Sequence, residues 1–248
     1  MMESGSGTGQ NVDTAQLKVK IFADGADKRG ILDLYRNSLI QGFTTNPTLM
    51  RQAGITDYEA FARDILAEVP DRPFSLEVFS DDFDDMGGQA RKLAALGPNV
   101  YVKIPVTNTK GESAAPLVRQ LTREGIKLNV TALMTVEQVC TMAAALSGSP
   151  SAYISVFAGR VADAGVDPLP IMQESLAIMK SQPQLELIWA SPREIFNLVQ
   201  ADRIGCHIIT ITHDLLKKLP SLGKDLTEFS LDTVKMFHRD ALAAGYRF

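Results

Sequence analysis

Charged side chains occur inside three apolar segments whose residue types are typical of buried β-strands. Lys103 lies within "YVKIPV", Glu77 within "SLEVF", and Asp24 at the end of "KVKIFAD". An ionised group is costly to bury unless an opposite charge or hydrogen bonds compensate it. A desolvated lysine amine can attack a carbonyl carbon and form a Schiff base. A nearby carboxylate can move the protons that this chemistry requires.

Each of these residues also has an ordinary structural interpretation. Lys103 could extend its aliphatic stem to solvent from an edge strand, and Glu77 could form a salt bridge with Lys103. Asp24 could cap the next helix, although Asp27 competes for that position. Pro105 indicates that the strand ends just after Lys103, because proline cannot donate to a strand ladder. The residue types alone leave the structural and the chemical interpretations open.

Other polar residues lie near the ends of further predicted strands. Thr44 and Asn46 belong to "TTNP", which is either a capped turn or a binding loop. Asn129 and Thr131 share one face of "LNVTAL" by the two-residue period of a strand. With Ser155 in "YISVF", they fit either a polar pocket or a hydrogen-bonded core.

Two arginines follow the late strands of the sequence, and both are candidates for binding an anion. Arg160 comes after "YISVFAG", and Arg193 lies in "WASPREIF". In the second segment Ser191, Pro192 and Glu194 predict a helix start with an N-cap, a proline at the first position and a capping box. A helix N-terminus attracts anions, and guanidinium groups bind phosphate in a bidentate manner. We therefore predict a phosphate site here.

The segments that must position these residues alternate between strand and helix patterns. Such alternation predicts a parallel sheet. Eight units fit a single closed (β/α)8 TIM barrel, in which the functional residues meet at the C-terminal ends of the strands. A doubly wound open sheet is the alternative, but "ADGADKRG" lacks its glycine fingerprint. The predicted strands are 17–25, 42–46, 74–80, 100–106, 126–134, 152–159, 185–191 and 206–212.

The two ends of the chain differ from the barrel pattern. Residues 1–16 read as a flexible Gly/Ser-containing tail, and residues 17–248 as one barrel domain. That domain includes a C-terminal helix over 226–245. Apolar residues fall on one face of this helix, so we expect it to pack on the barrel or on a neighbouring subunit.

Composition excludes several classes of partner. The formal net charge is -4 and no Lys/Arg-rich run occurs, which argues against nucleic acid or an anionic membrane surface as a partner. Cys140 and Cys206 show no metal-ligand spacing and are expected to be buried, reduced thiols. No apolar run reaches the length of a membrane span, and the N-terminus has no signal-peptide core. We expect a cytoplasmic protein.

Taken in order, seven segments resemble the transaldolase family over about residues 18–211. The resemblance implies a class I Schiff-base enzyme on a (β/α)8 barrel, without a metal or organic cofactor. It further implies that Lys103 forms the Schiff base with a ketose phosphate and that Asp24 is the acid/base for carbon–carbon cleavage. Glu77 and Thr131 would position the water used in Schiff-base formation and release. The segments are "IFADGA", "GFTTNPTLM", "SLEVF", "YVKIPVT", "EGIKLNVTALM", "YISVFAGRVAD" and "WASPRE".

The resemblance also assigns the substrate contacts and the partners. The substrates would be sugar phosphates, and the protein a homo-oligomer, a pentamer or a decamer. The dihydroxyacetone part would contact one set of polar residues, and the phosphate another. The implied sets are Thr44, Asn46, Asn129 and Ser155 for dihydroxyacetone, and Arg160, Ser191 and Arg193 for the phosphate.

The family has a transferase branch and a branch resembling fructose 6-phosphate aldolase. In the aldolase-like branch a Tyr and a Gln contact the catalytic water, whereas this chain has Phe157 and Glu77 there, as transferases do. This favours a transaldolase of the pentose phosphate pathway that moves dihydroxyacetone from sedoheptulose 7-phosphate or fructose 6-phosphate to an aldose phosphate. The alternatives are an aldolase, a transaldolase of a specialised sugar pathway, and a non-catalytic barrel. Gly25, Val156 and Pro192 depart from common family residues and leave the preferred sugar length open.

Overall fold

The computed structural model describes residues 16–247, and its centre is a closed barrel of eight parallel strands. The strands pair in chain order, and β1 closes the barrel by pairing with β8. The predicted (β/α)8 barrel is therefore confirmed. The strands are β1 Lys20–Asp24, β2 Ile40–Thr44, β3 Phe74–Glu77, β4 Val100–Pro105, β5 Leu128–Leu133, β6 Ala152–Val156, β7 Leu185–Trp189 and β8 Ile208–Thr212.

The helices lie between and after these strands, and most begin at a polar cap that the sequence provides. Asp27, Asp57 and Thr135, for example, accept a hydrogen bond from a backbone N–H of the helix that each precedes. The helices are α1 Lys28–Tyr35, α2 Pro47–Gln52, α3 Tyr58–Glu68, α4 Phe83–Ala94, α5 Ala115–Arg123, α6 Val136–Ala145, α7 Ala158–Asp163, α8 Pro168–Met179, α9 Phe196–Arg203, α10 His213–Leu216 and α11 Leu226–Ala244.

The barrel interior is layered, with aromatic residues one step below the polar ones. Tyr101 and Tyr153 stack with their ring centroids 4.0 Å apart, and Phe22 meets Tyr153 edge to face. Because side chains on a strand alternate with period two, the residues two positions later face the same interior. Those residues include Asp24, Lys103 and Ser155. Pairing across β3 and β4 places Glu77 directly beside Lys103.

Gly42 on β2 is needed for this layer. A Cβ atom at position 42 would lie only 2.5 Å from the Phe22 ring. The ring fills the space that a side chain at position 42 would take, so glycine here lets the aromatic layer close the barrel below the polar residues.

Two short helices, α2 and α7, occur where the sequence pattern predicted a turn and the end of a strand. The chain after Asn46 continues as α2, with Asn46 as its N-cap, where we predicted only a turn. The sixth strand ends at Val156 and not at residue 159, because α7 begins at Ala158. Cys206 is buried as predicted, but Cys140 is exposed, so the prediction of two buried thiols is wrong for Cys140.

Residues 18–216 form one compact unit, and residues 217–247 belong to a second. In the second unit α11 starts at its cap Asp225 and ends at Gly245, which has the left-handed conformation typical of a helix C-terminus. Large apolar side chains of this helix are exposed, among them Val234, Phe237 and Leu242. The predicted tail, residues 1–16, lies outside the described residues except for Gln16. The division into a tail and one barrel domain stays a prediction.

Candidate active site

Lys103 is the buried cation of the barrel interior. Its side chain is only 6% exposed, and its Nζ lies 2.9 Å from Glu77 Oε2. Nζ also donates a hydrogen bond of 2.8 Å to the backbone carbonyl of Thr45. A carboxylate and a carbonyl therefore compensate the desolvated ammonium group, as a buried charge requires. The salt-bridge interpretation of Glu77 is correct, and it also brings a proton acceptor to the amine.

Asp24 lies at the end of β1, where its carboxyl accepts a hydrogen bond of 2.8 Å from Thr44 Oγ1. Burial raises the pKa of this carboxyl above its ordinary value, and the negative charge of Glu77 raises it further. The charge of Lys103 and the Thr44 hydrogen bond oppose the rise. Such a carboxyl can hold and release a proton closer to neutral pH than an exposed aspartate can. Asp27, and not Asp24, caps α1.

Asn129 is held rigidly between two serines inside the barrel. Ser155 Oγ donates a 2.7 Å hydrogen bond to Asn129 Oδ1, and Asn129 Nδ2 donates one of 3.0 Å to Ser75 Oγ. Asn129 is fully buried. Its amide orientation is therefore fixed by this network, which makes it a preorganised polar group.

Thr131 differs from these residues because its hydroxyl has no hydrogen-bond partner within the described protein, although it is buried. The next residue, Ala132, has a left-handed backbone with φ of 65°, and the β5–β6 register shifts there. A strained non-glycine residue of this kind is usual beside functional sites. The bulge leaves the Thr131 hydroxyl free to bind a substrate group or a water molecule.

These residues line one cavity of about 140 Å³ at the C-terminal ends of the strands. Eleven of the twelve predicted site residues are among its lining, and the twelfth, Glu77, pairs with Lys103 instead. Thr210 and Thr212 on β8 complete the wall. The predicted residues that line it are Asp24, Thr44, Asn46, Lys103, Asn129, Thr131, Ser155, Phe157, Arg160, Ser191 and Arg193.

One end of this cavity is positively charged. Arg160 and Arg193 both line it, and Arg193 forms a bidentate ion pair with Asp163. The charge of Arg160 also acts on Asp163, and the two arginines together hold the pKa of this carboxyl below its ordinary value. Asp163 therefore fixes the guanidinium group of Arg193, and Arg160 lies close enough to act on the same carboxyl.

The predicted helix start at Ser191 is wrong. Helix α9 begins at Phe196, and Ser191 has a left-handed backbone with φ of 59°. The Asn197 side chain accepts hydrogen bonds from the backbone N–H groups of Arg193 and Glu194. The loop can take this path because Gly159 lies against it: a Cβ atom at 159 would be 1.6 Å from the Ser191 carbonyl oxygen. The residues predicted to bind an anion thus lie on α7 and on the loop between β7 and α9, and not at the N-terminus of α9.

Sequence reasoning missed several residues of the site. The Thr45 carbonyl, which accepts from Lys103, has no signal in the residue type. Ser75 lies two positions before Glu77, so the strand period could have found it. Asp163 follows Arg160 by three residues, a spacing that brings side chains together on a helix.

A family model described as transaldolase/fructose-6-phosphate aldolase matches residues 21–246. The chain belongs to this family. Among the relatives of this transaldolase/fructose-6-phosphate aldolase family member is a probable transaldolase 2 of Listeria monocytogenes, 38% identical over 86% of this chain and 95% of that protein. A probable transaldolase of Dehalococcoides mccartyi is 33% identical over 86% of this chain and 97% of that protein.

Solved structures support the fold of this family member. A dihydrodipicolinate synthase from Rhodopseudomonas palustris superposes with a TM-score of 0.57 at 13% identity, covering 81% of this chain and 71% of that one. At this identity the likeness concerns the barrel alone. Within residues 16–247, no helix is long and apolar enough to cross a membrane.

The raised pKa of Asp24 predicts a pH-dependent effect on stability. The folded protein holds the Asp24 proton more tightly than the unfolded chain does, so ionised Asp24 destabilises the fold at a pH above its folded pKa. The variant Asp24→Asn resembles the protonated state. Its melting temperature should exceed that of the wild type at pH 8, and the gain should disappear as the pH falls below about 3.8, the ordinary value. Equal melting temperatures at pH 8 would contradict the assigned burial.

Proposed function

We propose that this protein is a transaldolase that transfers a dihydroxyacetone unit from a ketose phosphate to an aldose phosphate through a Schiff base on Lys103. The observation that carries the proposal is the buried Lys103 amine, which lies 2.9 Å from one carboxylate and in the same cavity as a second. Enzyme activity of the transaldolase/fructose-6-phosphate aldolase type follows from family membership. The Schiff base and the substrates are the proposed part.

The chemistry begins at the Lys103 amine. Glu77 accepts a proton from the ammonium group, and the neutral amine attacks the ketose carbonyl at C2. Loss of the carbonyl oxygen as water gives a protonated Schiff base. Glu77 and the unpaired Thr131 hydroxyl would position that water, since both are close to the strand end that bears Lys103.

Carbon–carbon cleavage follows at the C3–C4 bond. Asp24 takes the proton of the C4 hydroxyl, the C3–C4 electron pair moves toward the iminium nitrogen, and an aldose phosphate leaves. The remaining enamine stays covalently bound to Lys103. In the second half of the reaction, C3 of the enamine attacks the aldehyde carbon of an acceptor. Asp24 then returns the proton to the new hydroxyl group. The raised pKa of Asp24 suits a group that must both take and give a proton.

The residues that line the cavity fit a substrate with a dihydroxyacetone part and a phosphate group. This cavity of about 140 Å³ has uncharged polar residues on the barrel strands and two arginines from the segments that follow β6 and β7. Thr44, Asn46, Asn129 and Ser155 supply hydrogen-bonding groups for the hydroxyls. Arg160, Ser191 and Arg193 would bind the phosphate at the charged end. The homo-oligomer and the cytoplasmic location remain predictions from sequence.

The transferase is favoured over the aldolase by Phe157, which lines the cavity without a hydroxyl. Release of free dihydroxyacetone requires water to attack the Schiff base, and a phenyl ring cannot orient that water. We expect Phe157→Tyr to raise the acceptor-free release of glyceraldehyde 3-phosphate from fructose 6-phosphate several-fold, measured with a coupled dehydrogenase assay. Phe157→Leu is the control, because it changes the ring but adds no hydroxyl. An unchanged rate in Phe157→Tyr would contradict this account of Phe157.

The proposal is tested by trapping the covalent intermediate. The wild-type protein is incubated with fructose 6-phosphate and sodium borohydride, and its peptides are analysed by mass spectrometry. A reduced dihydroxyacetone adduct on the peptide containing Lys103 is expected. Transfer is then measured with erythrose 4-phosphate as acceptor. An adduct with steady aldehyde release in the absence of acceptor would indicate the aldolase, and absence of any adduct would refute the Schiff base.

A further inference from the structure

His213 lies near the candidate catalytic carboxylate of Asp24 and has no role in the proposed reaction steps. It follows Thr212 directly, and Thr212 pairs in register with Asp24 across β1 and β8. The imidazole packs over the loop that leads from β1 to α1. Its Nε2 would be 2.7 Å from a Cβ atom at position 25, and its Cε1 2.6 Å from a Cβ atom at position 30.

The two glycines at these positions are explained by the imidazole. Neither Gly25 nor Gly30 has a positive φ, so neither backbone conformation requires glycine. The three atoms nearest to a Cβ atom at position 25 all belong to the His213 ring, and ring atoms are also the two nearest at position 30. The chain therefore lacks two side chains where the imidazole lies, which indicates a specific place for His213.

The imidazole also lines a second cavity, which adjoins the catalytic one. A neighbouring cavity of about 410 Å³ is lined by His213 and shares Asp24 and Thr212 with the catalytic cavity. The other charged groups that face it are Asp27 from the β1–α1 loop and Asp214 from α10, while α2 contributes uncharged residues only. The imidazole thus lines the same cavity as three carboxyl groups.

We propose that His213 is a positioning residue for Asp24: its imidazole, packed in the space left by Gly25 and Gly30, holds the carboxylate in place for proton transfer in carbon–carbon cleavage. This inference rests on the proposed function of the site. The imidazole acts on Asp24 from the β8 side, whereas Thr44 donates its hydrogen bond from the β2 side. The attraction of His213 lowers the pKa of Asp24 and opposes the effect of burial. In the proposed mechanism this favours the ionised carboxylate, which takes the C4 hydroxyl proton.

The test compares His213→Gln with the wild type, because glutamine keeps polar bulk but cannot ionise. We expect kcat for transfer from fructose 6-phosphate to fall about tenfold while KM changes less than twofold. The acidic limb of the kcat–pH profile should move to higher pH, since Asp24 would lose the group that lowers its pKa. Borohydride trapping of dihydroxyacetone on Lys103 should stay at the wild-type level. If His213 had only a structural role, its substitution would change the melting temperature and leave the acidic limb of the kcat–pH profile in place.

Gly25→Ala provides an independent route to the same state, because the new Cβ atom would displace the imidazole. Its kcat and pH profile should resemble those of His213→Gln, and the double variant should be no worse than either single one. Gly88→Ala is the matched control, since a Cβ atom at 88 meets nothing within 4 Å. A second control is His238→Gln, because His238 is an exposed histidine on α11.

The outcomes separate this inference from the proposed function. Absence of a Lys103 adduct in the wild type would refute the proposed function itself. A wild type that is trapped and active, with a His213→Gln variant of unchanged kcat and pH limb, would overturn only the role of His213. Losses that multiply in the double variant would also overturn it, because Gly25 and His213 would then act separately. Melting curves of all variants show whether a lost activity reflects unfolding.

Discussion

Replacing Lys103 with alanine should reduce transfer activity to background and abolish the borohydride-trapped adduct. No other amine lines the catalytic cavity among the described residues, whose cationic members there besides Lys103 are arginines. Arginine stays protonated and does not form a Schiff base. Activity is measured as aldehyde transfer from fructose 6-phosphate to erythrose 4-phosphate, and the adduct by peptide mass spectrometry. Lys92→Ala, which removes an exposed lysine of α4, is the control.

Stability needs separate attention in the Lys103 variant. Removal of the lysine leaves Glu77 in the barrel interior without its ion-pair partner, which costs about 3 kcal/mol or more. The double variant Lys103→Met/Glu77→Gln removes both charges and should melt close to the wild type. It should also be inactive. Turnover that persists in a folded double variant would show that Lys103 is not the nucleophile.

Replacing Asp24 with asparagine should lower kcat by about 10²–10⁴-fold, the usual contribution of a general acid or base. Asparagine can still accept the hydrogen bond from Thr44, so the geometry is kept and the proton transfer is lost. Because Schiff-base formation depends on Lys103 and Glu77, trapping with dihydroxyacetone should persist. Single-turnover cleavage of fructose 6-phosphate measures the loss directly.

The matched control for Asp24→Asn is Asp57→Asn. Asp57 is exposed and caps α3 by accepting from Ala60 N, and asparagine caps a helix equally well. Its activity and melting temperature should equal those of the wild type. If Asp24→Asn cleaved fructose 6-phosphate at the wild-type rate, the acid/base would have to be another group, and Glu77 would be the first alternative.

The sequence predicted the barrel because each strand is apolar where it is buried and is followed by a helix of regular period. It indicated candidate site residues because Asp24, Glu77 and Lys103 interrupt apolar strands, where burial of a charge is costly. Pairing in the closed barrel then placed Glu77 and Lys103 side by side. A charged residue near the end of an apolar strand is therefore informative even in a single sequence.

The errors have local physical causes. "SPRE" satisfies every residue preference of a helix start, yet the contact between Gly159 and the Ser191 carbonyl holds this loop in a left-handed turn. The local preference was overridden by a tertiary contact between this loop and α7, whose Gly159 lies 32 positions before Ser191, roughly the length of one βαβ unit. The position of the His213 imidazole could not be predicted from the sequence either, because it depends on the absence of side chains at Gly25 and Gly30.

The layer of Phe22, Tyr101 and Tyr153 beneath the reacting groups has a consequence for how this protein can diverge. These rings lie one layer below the groups that line the candidate cavity, and each belongs to the same strand as a polar residue two positions later. Trimming a ring would deepen the cavity without touching the amine or either carboxylate. The depth of the cavity can therefore change by single substitutions, and under the proposed function the length of the accepted sugar would change with it.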